Sequence, residues 1–356
     1  MQPPGGGRAA GGARTSERRR GHSGSCLVVD AGRTRFRAAV YDGSGGPLTS
    51  TDGPGLPDVA DGHGSAGSFA AALAPLLARL VLPRRPLDVV CVGMTGVLRP
   101  GPAAAAVAEA VHQLLPARRV LVTSDVVTGY CGAVGLGPGV VVAAGTGVIA
   151  LAAGPGGVAR VDGWGYLLGD AGSGFEIGRR GLAAALRAHD GRGGSERLSE
   201  LAAAAFGPLD EVVERVYGAG NPVGAVAAFA AQVADAARSG DRQAREIWED
   251  AAAEVAATAL AAARALGPAP PRAAGRADAD GGQAAGRSGK EATLSWTGGL
   301  FHAADLLLEP FLARVAAVRP ELVARPPLGS ALAGGRRLAG APDGHPLLDL
   351  VHVAGA

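Results

Sequence analysis

Two short segments combine glycine and threonine between apolar runs, and both have residue types that bind phosphate. The first is DAGRT, Asp30 to Thr34, and the second is GTG, Gly145 to Gly147. Glycine lets backbone amides approach a phosphate closely, and a threonine hydroxyl adds another donor. A carboxylate beside such a turn, as Asp30 is, can hold Mg²⁺ directly or through its waters. Each segment alone is also typical of a tight hairpin, but the pair favours phosphate binding in a cleft.

Two further aspartates lie in patterns that suit a binding site. Asp125, in TSDVVTGYCGA, follows an apolar strand pattern, at the edge where α/β sheets usually bind ligands. Asp170 lies in GWGYLLGDAGSGFEIGRRGL, just before a helix that is predicted to begin near Gly174. A helix N-terminus that follows glycines and a serine is expected to offer amides to an anion. The alternative is that Asp170 only caps the helix or forms the turn.

The surrounding sequence predicts the strands and helices that would position these side chains. Short apolar runs typical of strands occur in CLVVDAG, RFRAAVYD, LDVVCVG and RRVLVTS. GVVVAAGTGVIALAA repeats the pattern of strand, turn and strand, and TLSW predicts one more strand. Helical spacing occurs in GSFAAALAPLLARLV, AAAAVAEAVHQLL and HAADLLLEPFLARVAA, and between about residues 174 and 266. This order predicts an α/β fold with mixed β-sheets flanked by helices.

A chain of 356 residues is long enough for two hydrophobic cores, and changes in composition along the sequence indicate where they divide. Residues 1–24 are rich in glycine, arginine and proline and are predicted to be a disordered tail. Residues 25–122 are predicted to form an N-terminal lobe and residues 123–356 a C-terminal lobe. The low-complexity segment 267–292 is predicted to be a solvated insertion in the second lobe.

Composition excludes several classes of function. A net charge of +2 argues against a broad nucleic-acid-binding face. The three cysteines are far apart and form no CxxC pair, which argues against a disulfide framework, a zinc site or an iron–sulfur cluster. We find neither an uncharged apolar run of about 18 residues nor the apolar core of a secretory signal, so a cytoplasmic protein with no membrane partner is expected.

The order of the motifs resembles that of the N-acetylglucosamine kinase and BadF/BadG/BcrA/BcrD ATPase family. This family belongs to the superfamily of acetate and sugar kinases, heat-shock chaperones and actin. The resemblance covers residues 26–335 and includes DAGRT, Asp125, GTG, the GWG to IGR run and WTGGL. The GWG to IGR run is its most specific element. The resemblance implies a two-lobed, actin-like (ribonuclease H-like) fold with a cleft between the lobes.

The resemblance also implies a function, an ATP-dependent kinase of an amino sugar similar to N-acetylglucosamine. Its partners would be the sugar and ATP, with a homodimer compatible with the family. Asp30 would position Mg²⁺, Asp125 would be the general base, and Asp125, Thr146 and Asp170 would bind the sugar. The ATP-binding residues would be Gly32, Thr34, Gly145, Thr146, Gly147, Gly298 and Gly299.

Some positions depart from the family pattern. Ala31 and Arg33 stand where the family usually has glycine, and Ala171 stands where it usually has an acid. We expect Arg33 to point to solvent. Trp164 and Trp296 are expected to pack beside their glycines, with stacking on sugar or adenine as the alternative.

Two other functions remain open from the sequence. One is an ATPase that activates a radical dehydratase, although no suitable cysteine pair for its iron–sulfur cluster exists. The other is a sugar-sensing regulator that has lost phosphate transfer.

Overall fold

The computed structural model describes most of the chain, and the first and last residues and several short internal segments lie outside this description. The described residues are 24–33, 35–42, 46–56, 66–84, 86–97, 99–268 and 291–355. The predicted tail 1–24 and insertion 267–292 therefore fall almost entirely outside them. Among the described residues, no helix is both long enough and apolar enough to cross a membrane.

Strands and helices alternate through the first half of the described chain, and helices dominate the second. The strands are β1 Cys26–Ala31, β2 Arg35–Tyr41, β3 Pro47–Pro54, β4 Val89–Met94, β5 Arg119–Ser124, β6 Gly139–Ala144, β7 Val148–Gly154, β8 Gly157–Asp162, β9 Thr293–Thr297, β10 Val323–Ala324 and β11 His352–Gly355. The α-helices are α1 Ala66–Leu77, α2 Pro102–Leu114, α3 Asp125–Ala133, α4 Gly174–His189, α5 Glu196–Phe206, α6 Val212–Tyr217, α7 Pro222–Ala228, α8 Ala230–Arg238, α9 Arg242–Ala262, α10 Glu309–Val318 and α11 Ala331–Ala339.

The strands form two mixed sheets. The first has the order β11-β5-β4-β1-β2-β3 and the second the order β10-β9-β6-β7-β8. In the first sheet β1, β4 and β5 are parallel, whereas β2, β3 and β11 are antiparallel to their neighbours. In the second sheet β6 is parallel to β9 and antiparallel to β7. The predicted α/β fold with mixed sheets and flanking helices is therefore confirmed.

Four strands were not predicted from the sequence, and they are the four edge strands β3, β8, β10 and β11. No residue in any of them is buried. An edge strand can pair through its backbone alone, so its side chains need not show the apolar pattern by which a strand is recognised.

The last strand, β11, lies in the first sheet, although it belongs to residues 123–356, which were predicted to form a C-terminal lobe. β11 pairs antiparallel with β5, and His352 lies opposite Val122. The edge of β5 would otherwise carry unpaired backbone groups, and β11 satisfies them. The first sheet therefore contains both ends of the described chain, and the second sheet lies between them in sequence.

Three hydrophobic cores hold these layers together. One lies between the first sheet and α1 and α2, and another between the second sheet and the helices of the 174–318 region. The third contains residues of both sheets together with α3 and α11. It therefore joins the two halves of the protein.

Helices α3 and α11 touch backbone to backbone within this joining core. A Cβ at Gly334 of α11 would overlap the carbonyl oxygen of Thr128 and the amide nitrogen of Gly132, both in α3. A Cβ at Gly335 would overlap Val28 of β1. Only glycine fits at these two positions, so α11 is held against α3 and the first sheet at once.

We therefore predict that Gly334→Ala lowers the free energy of unfolding by about 1–3 kcal/mol, because a methyl group there overpacks the helix contact. Urea denaturation followed by circular dichroism measures this change. The matched control is Gly129→Ala in the partner helix α3, where an added Cβ meets no atom within 4 Å. The control should be neutral or stabilise by up to about 1 kcal/mol. Equal losses in the two variants would contradict the close helix contact.

The three cysteines are buried in the joining core and are free thiols. Burial raises the pKa of Cys26 and of Cys131 to about 12, and it raises the pKa of Cys91 well above its usual value. The thiolate is the reactive form, so these groups are expected to be inert in the folded protein.

We predict that the native protein at pH 8 reacts only slowly with Ellman's reagent, whereas all three thiols react at once in guanidinium chloride. Absorbance of the released thionitrobenzoate gives both rates. A thiol that reacts fully within the mixing time of the native sample would show that the joining core opens readily.

Candidate active site

The first candidate carboxylate, Asp30, is buried near the end of β1 and forms an ion pair with Arg37 of β2. The two residues lie opposite each other in the hairpin register. Arg37 donates to Oδ2 of Asp30 from Nε at 3.0 Å and also from Nη2. Burial raises the pKa of Asp30, and the Arg37 guanidinium opposes this shift. No described residue donates to the other carboxylate oxygen, Oδ1.

The turn after Asp30 is closed by backbone hydrogen bonds. The amide of Gly32 donates to the carbonyl of Arg35 at 3.0 Å, and the carbonyl of Gly32 accepts from Leu56 at 3.0 Å. Thr34, the predicted hydroxyl donor of this turn, lies outside the described residues.

Arg33 in the same turn is exposed, and it nevertheless acts on the site. Its positive charge lowers the pKa of both Asp125 and Asp170. The side chain is therefore within electrostatic reach of carboxylates on two different elements, and simple exposure to solvent does not fully describe it.

The second carboxylate, Asp125, is the first residue of α3. Ser124 caps this helix, since its hydroxyl accepts from the Val126 amide at 3.4 Å and lies 3.2 Å from Oδ1 of Asp125. Burial raises the pKa of Asp125, and the neighbouring charge of Asp30 raises it further. The hydrogen bonds from Ser124 and Val126 oppose these effects. Asp125 is thus a half-buried carboxylate with a raised pKa beside Asp30.

The GTG turn is held by the start of α4, which differs from the expectation that these helix amides are available to a ligand. The amide of Gly174 donates to the carbonyl of Gly145 at 2.8 Å, and Phe175 donates to Thr146 at 3.2 Å. The next amide, of Glu176, donates to the hydroxyl of the capping residue Ser173. The first three amides of α4 are therefore used within the protein, and they fix the GTG turn in place.

The third carboxylate, Asp170, is positioned by Asp162, a residue that was not among the predicted site residues. The two carboxylate oxygens of Asp162 accept from the amides of Asp170 at 2.8 Å and of Ala171 at 3.1 Å. Asp162 and Asp170 are the non-glycine residues of the described chain with positive φ, at 62° and 59°. Aspartate tolerates this left-handed conformation better than most residues. The Asp-Gly pair after β8 was the sequence signal that could have indicated it.

Asp170 lies against the GTG turn. A Cβ on Gly147 would come within 2.5 Å of Oδ2 of Asp170. Burial raises the pKa of Asp170, and the charge of Asp162 adds to the shift, while the amides of Val148 and Gly165 oppose it. The third carboxylate and the second phosphate turn therefore form one unit.

The two glycines that were predicted to lie beneath the adenosine are next to the end of β6, the strand that leads into the GTG turn. Gly298, with φ 104°, packs so closely on the backbone of Ala144 that a side chain would overlap it, and no atom lies within 4 Å of a Cβ at Gly299. Ala143 pairs with Thr297, so β6 and β9 end together. The Gly-Gly turn therefore adjoins the strand that leads into the GTG turn.

The two tryptophans differ from each other. Trp296 is half-buried and packs on the core of the second sheet, as expected. Trp164 lies against Gly169, where an added Cβ would come within 2.9 Å of the Trp164 Cβ, but 62% of its surface is exposed. The ring of Trp164 lies under the guanidinium of Arg160, with Cζ 4.5 Å from the ring centroid.

The described site residues thus gather where strands of both sheets end. The charge of Asp30 raises the pKa of Asp125, the charge of Arg33 lowers the pKa of Asp125 and of Asp170, and Asp170 contacts the GTG turn. Three carboxylates beside two glycine turns can hold an anion through backbone donors and a polar ligand through side chains.

Most of the chain matches a known family model, and a shorter stretch matches a curated relative. Residues 28–333 match the model described as the BadF/BadG/BcrA/BcrD ATPase family. A stretch of 141 residues is 28% identical to an N-acetylmuramic acid/N-acetylglucosamine kinase of Clostridium acetobutylicum, and it covers 38% of this chain and 46% of that protein. The alignment therefore spans less than half the length of the relative.

Two solved structures match most of the chain. A protein of Chromobacterium violaceum assigned as an N-acetylglucosamine kinase is 26% identical with a TM-score of 0.63, covering 88% of this chain and 98% of its own. A ROK family glucokinase of Streptomyces griseus, solved with glucose and AMPPNP, is 17% identical with a TM-score of 0.50. The match covers 88% of this chain and 99% of the glucokinase. These likenesses confirm the predicted actin-like fold.

The Asp162 contacts lead to a prediction about stability. Asp162→Asn keeps the shape and the tolerance of positive φ but replaces one acceptor oxygen by a donor group. One of the two bound amides then loses its partner, and the free energy of unfolding should fall by about 1–3 kcal/mol. The control is Asp343→Asn, an exposed residue without a hydrogen bond to the described chain, which should change stability by less than about 0.5 kcal/mol. If urea denaturation gave similar free energies of unfolding for both variants, the positioning role of Asp162 would be overturned.

Proposed function

The chain belongs to the BadF/BadG/BcrA/BcrD ATPase family, and on that premise we propose that it is an ATP-dependent sugar kinase. The acceptor is a hydroxyl of an amino sugar of the N-acetylglucosamine type. One observation carries this proposal, namely that Asp170 lies against the GTG turn and that the charge of Arg33 acts on both Asp170 and Asp125. The names of the curated relative and of the 26% identical structure support the same substrate class.

Asp125 is the general base in this proposal. Phosphate transfer from ATP needs a base that takes the proton of the attacking hydroxyl, and little covalent chemistry from the protein. A carboxylate with a raised pKa is a stronger base than an ordinary aspartate, and the hydroxyl of Ser124 orients it. Asp170 and Thr146 hold the other hydroxyls of the sugar.

The two glycine turns bind ATP in this proposal. Gly32 and the GTG turn, residues 145–147, approach the phosphates closely because they lack side chains. The Gly298–Gly299 turn lies beneath the adenosine, and open space above Gly299 supports this placement. The network from α4 fixes the GTG turn before ATP arrives, which lowers the entropy cost of binding.

The residues around Asp30 fit a Mg²⁺ ion that binds together with ATP. Arg37 occupies Oδ2 of Asp30, and no described residue donates to Oδ1. Mg²⁺ in nucleotide sites often takes one or two carboxylates, with waters and phosphates as its other ligands. The described residues contain no group of three acidic, histidine or cysteine side chains suited to a metal, which is compatible with that mode. When bound, the ion would neutralise charge on the transferred phosphate.

The direct test is ATP consumption with Mg²⁺ across a panel of hexoses and N-acetylated hexosamines, measured by coupling to ADP release. Turnover that depends on one class of sugar supports the proposal and identifies the acceptor. ATP hydrolysis that no sugar stimulates would favour the activator ATPase, although its iron–sulfur cluster would need cysteines that are buried here. Binding of a sugar without any turnover would favour a sugar sensor.

We predict that Asp125→Asn lowers kcat by roughly 10²–10⁴-fold, because the amide cannot accept the proton. Sugar affinity, measured by calorimetry, should change much less than kcat, because the amide has the same size and can still form hydrogen bonds. Asp343→Asn is again the control and should retain full turnover. Unchanged kcat in Asp125→Asn would rule out the assignment of the base.

A second prediction concerns pH. The base must be deprotonated, so kcat/KM should fall as the pH drops through the raised pKa of Asp125, above the usual aspartate value of about 4. Arg33→Gln removes a positive charge that lowers this pKa, so the pKa rises further and the acid limb moves to higher pH.

The matched control for the pH prediction is Arg35→Gln, an exposed arginine two residues along the chain with no such effect on Asp125. In this variant, kcat/KM should fall over the same pH range as in the unmodified protein. An identical shift of the pH profile in the two variants would show that general surface charge, and not Arg33 itself, determines the pH at which kcat/KM falls.

A further inference from the structure

Arg37 lies between two aspartates on neighbouring strands and forms an ion pair with one of them. In the register of the first sheet, Arg37 of β2 is opposite Asp30 of β1 on one side and opposite Asp52 of β3 on the other. Its guanidinium donates to Asp30, and the described residues include no ion pair between Arg37 and Asp52. Asp52 is exposed, where an ion pair contributes little, whereas the side chain of Asp30 is 9% exposed and needs a partner.

Both donors of Arg37 use the same oxygen of Asp30. Nε donates to Oδ2 at 3.0 Å, and Nη2 donates to Oδ2 as well. An arginine frequently binds a carboxylate with one donor on each oxygen, and the arrangement here is different. Because no described residue donates to Oδ1, Asp30 has one occupied oxygen and one available oxygen.

The pair lies on the face of the first sheet that α3 covers. Arg37 alternates along β2 with Ala39 and Tyr41 on one face, and both of these residues belong to the joining core. On β1, Val28 shares a face with Asp30 and belongs to the same core. Arg37 therefore fixes Asp30 on the side of the sheet where α3 begins with the proposed base.

The number of free oxygens on a carboxylate affects which divalent ion it binds well. Ca²⁺ takes about six to eight oxygen ligands and often uses both oxygens of one carboxylate. Mg²⁺ is smaller, requires near-octahedral geometry and keeps several of its waters. A carboxylate that offers a single oxygen therefore suits Mg²⁺ and is a poor ligand for Ca²⁺.

We propose that Arg37 is a positioning residue that makes the nucleotide site selective for Mg²⁺ over Ca²⁺, because it occupies Oδ2 of Asp30. It acts through Asp30 and contacts neither the ion nor the nucleotide. This inference rests on the proposed binding of Mg²⁺ and ATP beside Asp30, but it does not require that phosphate is transferred to a sugar.

The test measures the affinity for AMPPNP by calorimetry, without sugar, at saturating MgCl₂ and at saturating CaCl₂. We expect the unmodified protein to bind the magnesium complex at least about tenfold more tightly than the calcium complex. Arg37→Met has no donor for Oδ2, so this ratio should fall to about threefold or less. Arg37→Lys keeps the positive charge and a donor without the planar fork, and its ratio should be intermediate.

The matched control is Arg35→Met, which removes an exposed arginine from the same face of β2 and should leave the ratio unchanged. A purely structural role of Arg37 predicts that its loss weakens both complexes equally. An unchanged ratio in Arg37→Met would overturn the inference, and so would equal affinities for the two complexes in the unmodified protein. If Arg37→Met does not fold, Arg37→Lys decides, since an unchanged ratio in that variant overturns the inference as well.

Assays of sugar phosphorylation separate this inference from the proposed function. Selective binding of the magnesium complex that depends on Arg37, without phosphorylation of any sugar, would leave the inference standing and overturn the kinase proposal. Phosphorylation of a sugar together with equal binding of the two complexes would have the opposite meaning. Absence of AMPPNP binding with either ion would overturn both.

Discussion

The backbone contact between α3 and α11 is the constraint on which the rest of the structure depends. α3 carries Asp125 at its start and packs between the sheets, and α11 holds it through Gly334, where any side chain would collide with the backbone of α3. The last strand then returns to pair with β5, the strand from which α3 begins. The position of the proposed base is therefore set by residues more than 200 positions away in sequence, through close packing that tolerates little change.

The sequence indicated those site residues whose signal is local. Asp30 lies near the end of a buried apolar strand, and Asp125 and the GTG turn each follow one; a polar residue at such a strand end can be recognised from the pattern of hydrophobicity. The four edge strands could not be seen, because none of their residues is buried and their pairing is by backbone. Arg37 was missed for a related reason, since its contact with Asp30 depends on the exact register of the hairpin.

Asp162 shows a different limit of sequence reasoning. Its carboxylate accepts from backbone amides eight and nine positions further on, so its partners are not its sequence neighbours. Both it and Asp170 adopt a left-handed conformation that the surrounding hydrogen bonds must hold in place. The expectation that the amides at the start of α4 serve a ligand failed because the GTG turn uses them first. These backbone donors hold the GTG turn and the Asp170 segment in place.

The charges in the site also explain why an arginine can replace a glycine in the first turn. Asp30, Asp125, Asp162 and Asp170 lie close enough for the first pair and the last pair to raise one pKa each. In the proposed function, an ATP molecule that approaches these carboxylates would meet like charge, and a Mg²⁺ ion at Asp30 would offset only the part nearest to it. Arg33 adds a positive charge that both Asp125 and Asp170 experience. Placed on an exposed turn, it can stabilise the ionised base and attract phosphate without the desolvation cost that a buried arginine would carry.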